Sequence, residues 1–265
     1  MLNNKKLNIF AVDVGNTSIH IGLFNGLKLK FKGNIATDAG QNSLKSFLSN
    51  ISRRINKSGI RVDGVIACSV VPKINKILAS ALRTFNKKII FCGRDLTVPV
   101  RNLYKNPKAV GQDRLVNAYA GLSLYGKPLI IIDIGTAVTF DLISKKAEYL
   151  GGIIAPGINL SLKALGDNTA LLPKLALSER PKKLKLIGKS TKESMFSGVV
   201  LGFSLMVESL VKELKAQLGS DSRAILTGGD SKIIAGYIGC AIDITDEDLT
   251  LKGLNLLAQS FLKRP

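Results

Sequence analysis

Ala11-Val12-Asp13-Val14-Gly15-Asn16-Thr17 and Ile131-Ile132-Asp133-Ile134-Gly135-Thr136-Ala137 repeat one pattern in the two halves of the chain. Apolar runs flank both copies: Leu7 to Val12 and Ile19 to Phe24 around the first, Leu129 to Ile132 and Ala137 to Ile143 around the second. Each copy therefore reads as a strand, a tight glycine turn and another strand. The separation far exceeds the periods of about 20–50 residues that mark solenoids, so the pattern implies duplication of a whole domain. The boundary is expected between residues 114 and 128, with a first domain over 1–117 and a second over 118–265.

Downstream of the first copy, Leu44, Phe47, Leu48, Ile51 and Ile55 fall at helical spacing behind a candidate Ser43 cap. Val65 to Val71 and Ile89 to Phe91 read as strands around a helix with Ile74, Ile77, Leu78, Ala81, Leu82 and Phe85 on one face. A helix is expected from about Arg114 to Tyr125, closed by Gly126. Downstream of the second copy, an apolar helical stripe includes Met195, Phe203, Val207 and Leu214. A strand Ala224 to Thr227, a short strand Ala241 to Ile244 and a helix from about Asp248 to Leu262 complete the chain. This alternation predicts an α/β fold with part of its sheet parallel.

The 265 residues are 46% hydrophobic and 22% charged, which excludes disorder and supplies a large core. The longest charge-free stretches, such as Ser194 to Val207, fall short of the roughly 20 residues that a spanning helix needs. Asp13 interrupts the apolar N-terminal run, against a signal peptide, so no membrane association and a cytoplasmic location are expected. Cys68, Cys92 and Cys240 form no CxxC pair and His20 is the sole histidine, which argues against zinc chemistry. An enzyme of this composition works with carboxylates, hydroxyls, backbone amides, Lys, Arg and a hard cation. The net charge of +19 is scattered, its densest run being Lys182, Lys183 and Lys185, so no specific nucleic-acid site is expected. The same field would concentrate small anionic substrates.

The two Asp-x-Gly turns carry the chemistry. Gly15 and Gly135 admit close backbone approach, and the amides and hydroxyls of Asn16, Thr17 and Thr136 suit phosphate oxygens, with Asp13 and Asp133 for the accompanying cations. If the halves pack face to face, these ends converge on a cleft. A single Asp-x-Gly would be read as a plain hairpin turn; two in matching contexts favour phosphate binding. Gly228-Gly229 offers bare backbone to a flat group, and no Walker A or GxGxxG pattern occurs. Asp113, beside Arg114 at a helix start, reads either as a helix cap or as a proton acceptor, and one residue can serve as both.

As an ordered set, Asp13 to Thr17, Tyr104 to Pro107, Gly111-Gln112-Asp113-Arg114, Asp133 to Thr136, Gly151-Gly152 to Gly157 and Gly188-Lys189-Ser190-Thr191 resemble the type III pantothenate kinase family. That family belongs to the acetate and sugar kinase/Hsp70/actin superfamily. The resemblance implies two similar actin-like (ribonuclease H-like) domains and ATP-dependent phosphorylation of pantothenate, the first step of coenzyme A synthesis. It also implies a homodimer that needs Mg²⁺ and a monovalent cation, K⁺ or NH₄⁺. Residue by residue, it implies that Asp13, Val14, Gly15, Asn16, Thr17, Ser18, Ile19 and His20 bind ATP phosphates and that Thr136 contacts ATP. By the same resemblance Asp13 orients the divalent ion and Asp133 holds the monovalent one. Tyr104, Gly111, Gln112, Asp113, Arg114 and Thr191 would bind pantothenate, with Asp113 as proton acceptor. Family members commonly carry Ala where this chain has Gln112. The alternatives are a non-catalytic nucleotide-binding regulatory protein on the same scaffold, or another small-molecule kinase of the superfamily.

Overall fold

The computed structural model describes residues 6–86, 88–239 and 241–263; Cys240 lies outside them. The chain forms two compact units. The first takes the residues up to Val100, Asn106–Ala120 and the C-terminal segment from Leu249; the second takes Arg101–Lys105 and Gly121–Asp248.

In the first unit, β1 (Asn8–Val14), β2 (Ser18–Asn25) and β3 (Lys28–Ala36) form an antiparallel meander. To it β4 (Gly64–Ser69) and β5 (Ile89–Phe91) add parallel strands, in the order β3-β2-β1-β4-β5. β1 is buried on both faces because helices cover both. On one side lie α1 (Gln41–Lys57), through Leu44, Leu48, Ile51 and Ile55, and α2 (Asn75–Leu82), through Leu78 and Leu82. On the other, α8 (Leu249–Leu262) packs against β1, β2 and β4. Its buried amides answer backbone carbonyls: Asn255 and Gln259 both donate to the Gly26 oxygen at 2.9 Å. α3 (Gln112–Tyr125) approaches α8 at Gly253, where a Cβ would stand 2.7 Å from the Val116 carbonyl.

The second unit repeats this order. β7 (Leu129–Ile134), β8 (Ala137–Ile143) and β9 (Glu148–Pro156) form the meander, and β10 (Arg223–Thr227) and β11 (Ile244–Thr245) the parallel extension. The order is β11-β10-β7-β8-β9-β6, with β6 (Arg101–Asn102) added at the far edge. α4 (Ile158–Asn168) and α7 (Ser231–Ala235) flank the sheet. α5 (Thr191–Phe196) runs through a π-helical turn, Ser197–Leu201, into α6 (Gly202–Leu218). Among the described residues this Thr191–Leu218 stretch is the one helix long and apolar enough to cross a membrane by length and composition. Its Phe196, Val200, Val207 and Val211 are buried in the unit's core.

The matching strand orders bear out the α/β fold of two similar domains. The sequential division into 1–117 and 118–265 differs from what the contacts show, because α8 packs on the first unit's sheet and β6 joins the edge of the second's. β3 and β9 extend each expected strand pair to three. α1 starts at Gln41 behind Gly40 (φ 86°) rather than at a Ser43 cap, and in place of the expected strand Ala241 to Ile244 the strand is Ile244–Thr245, sharing only Ile244 with it.

Candidate active site

In the first unit, strand register assembles a row of polar and ionisable side chains. Asp13 pairs with His20 on β2 and with Cys68 on β4, and His20 pairs with Asn34 on β3. Cys92, one residue beyond the Ala67↔Phe91 pair, extends the row and donates its N–H to the Ala67 oxygen at 2.9 Å. Register partners face the same side, so the row lies on one face at the carboxyl ends of β1, β4 and β5. The adjoining turn is closed by Gly15 N–H to Ser18 O (3.0 Å) and braced by the Thr37 hydroxyl on Gly15 O (2.7 Å), which leaves Asn16 and Thr17 exposed.

Asp113 opens α3 in the same unit. Its Oδ1 accepts the Arg114 N–H at 2.9 Å, and the carboxylate occupies the space where a side chain on Gly111 would stand. Burial is the largest influence on this carboxyl and pushes its pKa up, against the lowering effect of the Arg114 N–H and guanidinium. Gln112 lies over Gly93 (φ 81°), whose Cβ would stand 2.7 Å from Gln112 Cγ. The Cys68 thiol is raised by burial first, then by the neighbouring Asp13, Cys92 and Asp113; burial and Asp13 push Cys92 up to about 12. Asp13, Cys68, Cys92 and Asp113 thus form one electrostatic cluster, in which the thiols stay neutral. Nothing in the spacing of the cysteines reveals this. Only the pairing of β1, β4 and β5 does.

In the second unit, Asp133 occupies the position of Asp13. Its register partners are Thr139 and Thr227. The Gly228 turn (φ 95°) presses so closely that a Cβ there would stand 2.5 Å from Asp133 Oδ1. Thr227 Oγ1 is buried without a hydrogen-bond partner among the described residues. Thr136 is exposed, and its carbonyl accepts the Gly157 N–H at 3.0 Å. Thr191 opens α5, whose Ser190 cap accepts the Glu193 N–H at 3.2 Å. Tyr104 packs over Gly151. Asp13 to His20 and Gly111 to Arg114 therefore belong to the first unit, and Tyr104, Asp133, Thr136 and Thr191 to the second.

Residues 9–213 match the family model described as type III pantothenate kinase. A type III pantothenate kinase from Persephonella marina is 40% identical over 252 residues, covering 93% of this chain and 96% of that protein. One from Geobacillus sp. is 40% identical over 253 residues, covering 94% and 96%. A Campylobacter jejuni structure described as a conserved putative Baf family transcriptional activator superposes with a TM-score of 0.59 at 18% identity, over 96% of this chain and 100% of that one. An activator of the 2-hydroxyisocaproyl-CoA dehydratase from Clostridium difficile, with bound ADPNP, superposes with 0.54 at 13% identity, over 96% and 94%. At such identities these two likenesses speak for the fold, which is actin-like.

Proposed function

The chain belongs to the type III pantothenate kinase family, and from that premise we propose that it transfers the γ-phosphoryl group of ATP to the hydroxyl of pantothenate. The products are 4'-phosphopantothenate and ADP, and the reaction opens coenzyme A synthesis. The observation that carries the residue roles is the partly buried Asp113 at the start of α3, which shares an electrostatic cluster with Asp13.

Asp113 accepts the hydroxyl proton as the new O–P bond forms and the bond to the β-phosphate oxygen breaks. Positioning and electrostatic stabilisation supply most of the rate in phosphoryl transfer, since the transition state spreads charge over the γ-phosphate oxygens. The Asp13–His20 segment supplies turn amides and the Asn16 and Thr17 side chains to the phosphates; Thr136 contacts the nucleotide. Tyr104, Thr191 and the Gly111–Arg114 segment hold pantothenate.

Kinases of this family use ATP with a divalent cation, and the donor set fits one. Among the described residues no three His, Cys, Asp or Glu side chains come together as a metal cage. A carboxylate such as Asp13 suits Mg²⁺, which keeps waters and takes phosphate oxygens as ligands. When bound, the ion neutralises charge on the transferring phosphoryl group. For a monovalent K⁺ or NH₄⁺, Asp133 and the unpartnered Thr227 hydroxyl offer hard oxygen atoms. The proposal includes a homodimer; large apolar side chains exposed on the second unit, among them Leu171 (92%), Ile187 (80%), Leu186 and Ile154, are where its contacts would be sought.

ADP release with and without pantothenate, with the product identified by mass, tests the reading. Pantothenate-dependent turnover is expected. ATP binding without any pantothenate-dependent turnover would favour the non-catalytic reading of the scaffold.

A further inference from the structure

Asp141 stands in the middle of β8 with its side chain wholly removed from solvent, and the transfer chemistry does not use it. A carboxylate in that position needs hydrogen-bond donors. The Tyr149 hydroxyl, also fully buried, donates to Asp141 Oδ1 at 2.7 Å, and the Thr139 hydroxyl to Oδ2 at 3.2 Å. Tyr149 lies on β9, next to β6, where Asn102 is its register partner and the Leu103 N–H donates to its carbonyl at 2.9 Å. Asn102 Oδ1 in turn accepts the Tyr104 N–H at 2.9 Å.

The Tyr104 ring is thereby held from two sides. Its centroid is 6.5 Å from that of Tyr149 at 57°, a tilted aromatic pair. Beneath it Gly151, at φ 126°, presents bare backbone: a Cβ there would meet Tyr104 Cδ2 at 3.3 Å and Cε2 at 3.4 Å. A side chain at Gly151 would be strained by its own φ and would push the ring outward.

We infer that Asp141, Tyr149 and Gly151 are positioning residues, a platform that fixes the Tyr104 ring and so sets the enzyme's grip on its alcohol acceptor. The inference rests on the reading of Tyr104 as an acceptor contact. The buried Asp141–Tyr149 pair holds one wall of the ring's seat, and Gly151 is its floor. Misplacing a positioned contact weakens binding of the group it touches and leaves the nucleotide unaffected.

The test is a cycle with Tyr149→Phe and Gly151→Ala, each made in the wild type and in a Tyr104→Ala background. In the wild type each should raise KM for pantothenate by about 3- to 10-fold, the scale of one lost or misplaced hydrogen bond. KM for ATP and kcat should stay near wild-type values. In the Tyr104→Ala background neither should add a further rise, because the group they position is gone. An equal rise in both backgrounds, or none in the wild type, overturns the platform. If Tyr104→Ala itself leaves KM for pantothenate unchanged, the acceptor contact is wrong and the platform falls with it; a rise there without one in Tyr149→Phe defeats the platform alone. Tyr149→Phe keeps the ring and the core volume, so it decides the matter should Gly151→Ala not fold.

Discussion

Replacing Asp113 with Asn separates the chemistry of the site from its architecture. The amide has the same shape, its Oδ1 can keep the bond from the Arg114 N–H, and it fits the space left by Gly111. What disappears is the proton acceptor. A positioned general base contributes typically about 10²- to 10⁴-fold, so turnover at saturating pantothenate should fall by that factor while nucleotide affinity stays near wild type. The same substitution has a signed effect on stability. Folding raises the Asp113 pKa, chiefly by burial. Between the ordinary unfolded value of about 3.9 and the raised folded value, the native state holds a proton that the unfolded chain has released. Stability therefore falls as pH rises through that window, and at neutral pH the wild type carries the cost of an ionised, partly buried carboxylate. Asn carries none. The variant should melt above the wild type at neutral pH, and the difference should vanish below the window. ADP release, nucleotide titration and thermal melts across pH measure the three quantities. Near-normal turnover in the folded variant would falsify the role of Asp113; a lower melting temperature at neutral pH would show that its contacts outweigh its desolvation.

Activity should depend on K⁺ or NH₄⁺, and Asp133→Asn should raise the K⁺ needed for half-maximal rate more than Asp13→Asn does; titration against tetramethylammonium at fixed ionic strength checks this, and an unchanged titration in Asp133→Asn refutes it. Thr227→Val, which removes the unpartnered buried hydroxyl, should shift the same titration in the same direction, with ATP affinity in saturating K⁺ as the control. At about pH 7.5 iodoacetamide should leave Cys68 and Cys92 unmodified in the folded enzyme and label both after denaturation, because burial and the Asp13 charge keep the thiols neutral; peptide mapping that finds early labelling of either contradicts it. Gly157→Ala should cost about 1–3 kcal/mol or more, since its Cβ would collide with the Gly135 and Thr136 carbonyls; a melting temperature unchanged from wild type counts against that packing.

The repeated Asp-x-Gly turns were legible because period-2 strands and glycine turns are local signals, and from them the duplicated α/β fold follows. The third strands were harder. Lys28–Ala36 alternates Leu29, Phe31 and Ile35 with exposed lysines, the pattern of an edge strand guarded by charge, and its apolar content is too thin to stand out. The return of α8 to the first unit was hidden for a different reason. An amphipathic helix announces that it has an apolar face but not which sheet will cover it, and Gly64, which makes room for Leu262, reads in sequence as an ordinary strand-entry glycine. Cys68 and Cys92 were invisible as site residues because only the register of parallel strands, set by non-local pairing, carries them to Asp13.

Duplication placed a carboxylate at the same strand end twice, yet the neighbours decide what each can hold. Asp13 has His20 and Cys68 in register beside it; Asp133 has Thr139 and Thr227. A neutral thiol is a poor ligand for a hard cation, so beside Cys68 the proposed partner of Asp13 is a phosphate-bound Mg²⁺ that keeps its waters. Two hydroxyls around Asp133 supply oxygen atoms of the kind that a large, weakly charged ion accepts, and Gly228 brings the neighbouring backbone close against the carboxylate. The difference between the two turns therefore lies less in the repeated motif than in the residues that register sets across from it. On the proposed cation assignment, exchanging Cys68 and Thr227 in type, rather than the carboxylates themselves, is the change expected to make one copy resemble the other.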